Sequence, residues 1–160
     1  MKTVERPRYK DKRVFQVRKL SFEPYGYSEN TLGLVMGLIR KNLTPGLLTP
    51  KYREENKTNS MFGHCYHSSQ ALFYLMNTDQ LQPMSAEDYR GEKHWWLQSD
   101  EKIYDPTADQ YYSVGKLPPY ETGKKSRWYG WKQRPQQISL DLMIKVLGNR
   151  LIEDTLITVH

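Results

Sequence analysis

An internal disulfide is excluded from this chain, because Cys65 is its only cysteine. A lone thiol fits a reducing compartment, where a thiolate stays usable as a nucleophile. Also missing is any apolar run long enough to span a membrane, and Met1 to Lys10 lacks the apolar core of a signal peptide. The expectation is a soluble, cytoplasmic protein. No internal repeat, low-complexity tract or domain boundary interrupts the 160 residues. One domain with a hydrophobic core of its own is expected, without disulfides or a structural metal.

The chain has no acidic excess; its formal charge is +6. Residues 1–20 hold eight Lys or Arg against Glu5 and Asp11, and the other 140 residues carry sixteen charges of each sign. Basicity therefore belongs to the N-terminal segment. Residues 1–12 read as a flexible basic arm and residues 13–160 as the single domain.

What is present centres on Phe62-Gly63-His64-Cys65-Tyr66-His67-Ser68-Ser69-Gln70-Ala71-Leu72, where a loop turns into a helix over Cys65–Met76. Ala71, Leu72 and Leu75 make its buried stripe. A cysteine at a helix N-terminus meets unsatisfied N–H groups and the positive end of the dipole, both of which favour thiolate. Twenty-nine residues on, His94-Trp95-Trp96-Leu97-Gln98 reads as a strand, and after a turn at Ser99-Asp100 a second run ends in Tyr104-Asp105-Pro106-Thr107. A hairpin brings imidazole and carboxylate onto neighbouring strands. Thiol catalysis needs these three groups: a sulfur to attack, a base to take and return its proton, and an acceptor that fixes the imidazole tautomer.

At these residues the sequence resembles the transglutaminase-like branch of the papain-like cysteine hydrolases. Gly63-His64-Cys65, His94-Trp95-Trp96 and Asp105-Pro106-Thr107 carry the likeness, over about residues 60–110. The chain also resembles small stand-alone proteins of bacteriophage type with Gly-His-Cys-Tyr, His-Trp and Asp-Pro-Thr in this order. The resemblance implies an α+β fold, with a nucleophile helix packed on a small, mainly antiparallel sheet. It implies Cys65 as nucleophile, His94 as general base and acid, and Asp105 as orienting carboxylate. In papain-like chemistry a side-chain amide upstream of the cysteine often donates to the oxyanion, which makes Asn56 and Asn59 the candidates ahead of Gln70. Departures from larger transglutaminases are the shorter chain and Ile103-Tyr104, where a tryptophan often stands.

His64 and His67 flank the thiol, but four-ligand zinc sites need a second cluster that the sequence does not supply. No metal or cofactor is expected. His64, Trp95 and Trp96 are candidate substrate contacts, the two tryptophans on opposite faces of their strand. Trp128 and Trp131 join them from Lys124 to Arg134, where five basic residues alternate with three aromatics. That run can stack bases and neutralise phosphates, clamp an anionic substrate, or cover the core while its lysines face water.

Around this centre, Val14 to Phe22 reads as a short strand and Ser28 as the cap of a core helix over Glu29–Lys41. Thr49-Pro50 opens a short helix to Asn56. Leu81 to Glu92 fits either a strand or a helical turn. Ser139 caps a helix over Leu140–Leu151, and Leu156 to Val159 reads as a last strand. The function expected is amide hydrolysis, peptide, isopeptide or side-chain, through a Cys-His-Asp triad and a thioester. Alternatives are acyl transfer to an amine at the same triad, or a non-catalytic binding protein of viral type. Peptide, protein or small amide substrates are the expected partners. A host protein is a further one, nucleic acid is less favoured, and no membrane is expected.

Overall fold

A computed structural model describes residues 28–76, 80–128 and 135–158. The expected arm over residues 1–12, the strand over residues 14–22 and Trp131 lie outside the described residues. Helix α1 spans Glu29–Lys41, with the Ser28 hydroxyl accepting from Thr31 N at 3.1 Å. Its stripe of Leu32, Val35, Leu38 and Ile39 is buried, each side chain contributing about 1.5–3 kcal/mol on leaving water. A 3₁₀ turn over Pro45–Leu47 leads to α2, Pro50–Asn56, with proline at the first helical position, where no N–H is needed. Helix α3 is Cys65–Met76, the span read from the sequence.

Leu81 to Glu92 resolves into a strand and a turn. Strand β1, Gln82–Glu87, pairs antiparallel with β2, Lys93–Ser99, and β2 pairs with β3, Lys102–Tyr104. The turn between β1 and β2 is built on Asp88. Its Oδ1 accepts Arg90 N at 2.9 Å and Glu92 N at 3.0 Å, while Gly91 takes the left-handed φ of +77°. After a four-residue helix α4, Asp109–Tyr112, the chain adds the two-residue edge strand β4, Lys124–Lys125. The sheet order is β3-β2-β1-β4. The fold is α+β on a small antiparallel four-stranded sheet.

Helix α5 runs Gln137–Thr158, which corrects two expectations. Ser139 is not its cap but a fully buried residue in its first turn. The first bond of that turn instead ends on Gln136 O, from Leu140 N at 3.0 Å. The tail from Leu156 continues the helix instead of forming a strand. Propagation costs little once a helix is nucleated, whereas a strand needs a ladder partner.

Helices α1, α3 and α5 pack on one another, and α3 lies on β2. Helix α3 is buried from His67 to Met76, so the stripe read from its sequence is too narrow: it is enclosed on all sides. Two polar bonds fix it in place. Ser69 Oγ donates to Trp95 O of β2 at 3.1 Å, and Gln70 Oε1 accepts Gln136 N ahead of α5 at 3.0 Å. The first sets α3 against the sheet and the second against the start of α5, and α3 begins with Cys65.

Candidate functional site

The chain turns into α3 at Gly63, whose φ is +84°. A Cβ there would sit 3.0 Å from both Leu48 Cδ2 and Tyr52 Cβ, so this residue needs glycine for both its backbone and its neighbours. Cys65 is the first helical residue, and its N–H has no intrahelical acceptor. The half-buried thiol lies 3.7 Å from Lys93 O.

On β2 the next residue is His94, fully buried, with its Nε2 2.6 Å from Asp105 Oδ2. Asp105 ends the β3 hairpin, where Arg40 of α1 donates from Nε to the following carbonyl, Pro106 O, at 3.0 Å. Four donors meet the carboxylate. His94 Nε2 and the Tyr120 hydroxyl (2.8 Å) reach Oδ2, while Thr107 N (3.1 Å) and Thr107 Oγ1 (3.3 Å) reach Oδ1. Burial and the adjacent carboxylate raise the Tyr120 pKa, which keeps that hydroxyl a donor.

Burial opposes a charge on His94. The charge and hydrogen bond of Asp105 outweigh it, and with the hydrogen bond and charge of Cys65 they push its pKa up to about 10. Nε2 faces the carboxylate, so Nδ1, which lies 3.4 Å from Gln110 Nε2, is the ring nitrogen open to interaction with Cys65. The ring is held on its faces too: Trp96 stacks on it at 5.7 Å and 24°, and the Tyr111 ring meets it edge-on at 4.8 Å. A base fixed by ring packing and an anionic acceptor is what proton shuttling to and from a thiol requires.

Above the thiol opens a cleft of about 300 Å³. Leu48, Tyr52 and Phe62 line one side and Tyr66, Trp95 and Ile138 another, while Asp88, Arg90, Glu92 and Lys93 supply charged groups from the β1–β2 turn. Arg90 pairs with Glu55 and lies 4.3 Å from the Phe62 ring centre. Asp88 accepts from the Tyr111 hydroxyl at 2.9 Å.

Several candidates sit elsewhere than expected. Asn56 donates its amide to the carbonyls of Asn59, Ser60 and Phe62, at 3.4, 3.0 and 3.0 Å, and braces the loop before the cysteine. Asn59 donates to Gln110 O at 2.7 Å. Gln70 is buried one turn beyond the thiol. His64 is fully buried and does not line the cleft; its Nδ1 meets His67 Nε2 at 2.7 Å. His67 lines the cleft in its place. Trp96 is buried behind His94, whereas Trp95 walls the cleft. Trp128 packs on Trp95 with ring centres 5.5 Å apart, covering the core, while Lys124 and Lys125 are exposed. Among the described residues no group of three or more His, Cys, Asp or Glu is placed to hold a metal ion. No helix of the described residues is long and apolar enough to cross a membrane.

Sequence reasoning missed Tyr120 and Gln110. Pro118-Pro119 and Gly123 frame the turn that carries Tyr120, and a Cβ at Gly123 would meet Trp96 Cζ2 at 2.5 Å. A proline pair and a glycine mark a rigid turn, yet they do not name the residue it presents. Gln110 lies one residue into the short helix after the Asp-Pro-Thr motif and lines the cleft with Cys65.

The buried imidazoles predict a pH dependence of stability. Burial lowers the His64 pKa to about 4, and burial with His64 beside it lowers that of His67 to about 3. The unfolded chain takes up these protons from about pH 6.5 downward. Stability from this pair is complete above that pH and lost as pH falls through the folded values. His94 has the opposite sign: its contribution is complete below the unfolded value and lost as pH rises through about 10. Thermal unfolding against pH is expected to give a maximum near neutrality, with His94→Ala flattening the alkaline limb. A melting temperature that keeps rising from about pH 6.5 to 10 contradicts this assignment.

No protein-family model, curated protein or solved structure matches the chain.

Proposed function

We propose that the protein is a thiol-dependent amide hydrolase of papain-like, transglutaminase-like architecture. The observation that carries the reading is the alignment of a helix-initiating Cys65, an adjacent buried His94 and a four-donor Asp105 beneath an open cleft. Each group suits one step. The thiol proton passes to His94 Nδ1, and the Asp105 carboxylate stabilises the resulting imidazolium through Nε2. The sulfur attacks a carbonyl carbon, the carbonyl π pair moves to oxygen, and the Cys65 N–H at the start of α3 donates to that oxyanion. As the tetrahedral centre collapses, the C–N bond breaks and His94 gives its proton to the leaving amine. Water then attacks the thioester, losing its proton to His94, and the acid departs as the thiol re-forms.

The cleft supports an amide presented with an apolar or aromatic neighbour, since Leu48, Tyr52, Phe62, Tyr66, Trp95 and Ile138 line it beside its charged groups. Acyl transfer differs only in the second nucleophile. The test is acylation by p-nitrophenyl acetate, followed by addition of a primary amine. Wild type is expected to release a stoichiometric burst of nitrophenolate and carry the acetyl group on Cys65, while Cys65→Ala releases none. Hydrolysis undisturbed by the amine supports a hydrolase, and amide product supports a transferase. No burst from wild type overturns both.

A further inference from the structure

The two asparagines expected to serve the oxyanion are occupied with backbone carbonyls, whereas Gln110 is a buried side-chain amide lining the cleft with Cys65. Its orientation follows from its partners. Thr107 Oγ1 has one proton, which goes to Asp105 Oδ1 at 3.3 Å. That hydroxyl must therefore accept from Gln110 at 3.0 Å, which places Nε2, and not Oε1, against it. The second N–H of the same amide is left beside His94 Nδ1, 3.4 Å away. Gln110, Thr107, Asp105 and His94 thus form a closed ring of polar contacts. Asn59 holds the same residue by its main chain, donating to the backbone carbonyl of Gln110 at 2.7 Å.

The position of that second N–H changes meaning during the reaction. Against neutral His94, the Nδ1 lone pair can accept it. Once Nδ1 carries the thiol proton, the imidazole offers a donor there, and a donor facing a donor is repelled. In the thiolate–imidazolium pair that precedes attack the amide therefore has no acceptor at Nδ1, and attack by the sulfur then generates an anion in the cleft for it to meet. We infer that Gln110 is a catalytic residue of this site, donating from Nε2 to the oxyanion alongside the Cys65 N–H. The inference rests on the proposed thiol chemistry, and it replaces the upstream amide expected from the sequence with one that follows the carboxylate motif.

The test compares two reactions of the same sulfur. Alkylation by iodoacetamide forms an S–C bond as iodide leaves, with no charge developing on a carbonyl oxygen. Acylation by p-nitrophenyl acetate forms the S–C bond while the carbonyl π pair moves to oxygen, and collapse expels nitrophenolate. Removing one oxyanion donor costs about a hundredfold or more in rate. Gln110→Ala is expected to lower the ratio of acylation to alkylation rates by about a hundredfold. Gln110→Glu occupies the same space and is expected to lower the ratio at least as far, because a carboxylate repels the oxyanion. Circular dichroism and thermal melts accompany both variants. A ratio that stays at the wild-type value in either folded variant overturns the inference, including the case where both rates fall together because His94 is displaced. A wild-type thiol inert to both reagents overturns the hydrolase reading, and the inference with it.

Discussion

Asp105→Asn is expected to slow Cys65 acylation by about 10⁴-fold while the protein remains folded. The carboxylate offers two acceptor oxygens to four donors: His94 Nε2, the Tyr120 hydroxyl, and the nitrogen and hydroxyl of Thr107. An amide has one acceptor oxygen and brings two N–H donors of its own. If its NH₂ faces His94, the imidazole must accept at Nε2 and carry its proton on Nδ1, the wrong tautomer for receiving the thiol proton. If its oxygen faces His94, the NH₂ meets the two Thr107 donors. In both arrangements the anion that stabilises imidazolium is gone, and only Cys65 is left to oppose the effect of burial on the ring. Nitrophenolate burst rates check the value, and a loss of less than about tenfold would mean that Asp105 braces the hairpin without serving the base.

Trp96→Ala is expected to cost about 3–5 kcal/mol of stability, a fall in melting temperature on the order of 10 °C. Trp96 is fully buried, stacks on His94, and meets Tyr120 edge-on at 5.1 Å. Its removal empties the space between the base and the tyrosine that anchors Asp105. The indole N–H has no hydrogen-bond partner among the described residues, so packing holds the ring. Trp96→Phe, which keeps a ring and removes the orphaned donor, is expected to cost less than half as much as alanine. Denaturant unfolding of the pair checks the order, and alanine costing under about 1 kcal/mol would contradict the packing account.

Much of this site is legible in the sequence because its parts obey local rules. Ser28 caps α1 and Pro50 opens α2, since capping and proline geometry act within a few residues. The bounds of α3 follow from the loop-to-helix change at Gly63. The β2–β3 hairpin follows from Ser99-Asp100, where Asp100 takes the left-handed φ of 54°. The β1–β2 turn was equally local, yet Asp88 and Gly91 stand among polar residues that fit a helical turn as well. Tertiary partners account for the rest. Nothing near Asn56 in the sequence reveals that three loop carbonyls claim its amide, and nothing near Tyr120 reveals Asp105. His64 and His67 look alike beside the thiol; only the path of the chain into α3 decides that one is enclosed and the other meets the cleft.

The measurement that reaches the central claim most directly is the rate of Cys65 alkylation by iodoacetamide against pH, for wild type and His94→Ala. A thiolate held by imidazolium reacts at pH values where an ordinary thiol, with a pKa of about 8.5, is protonated. The account predicts that at about pH 6 wild type is labelled many times faster than His94→Ala. Slow labelling of both proteins at that pH, or equal rates across the whole range, would contradict the pairing of Cys65 with His94 and remove the basis for thiol catalysis.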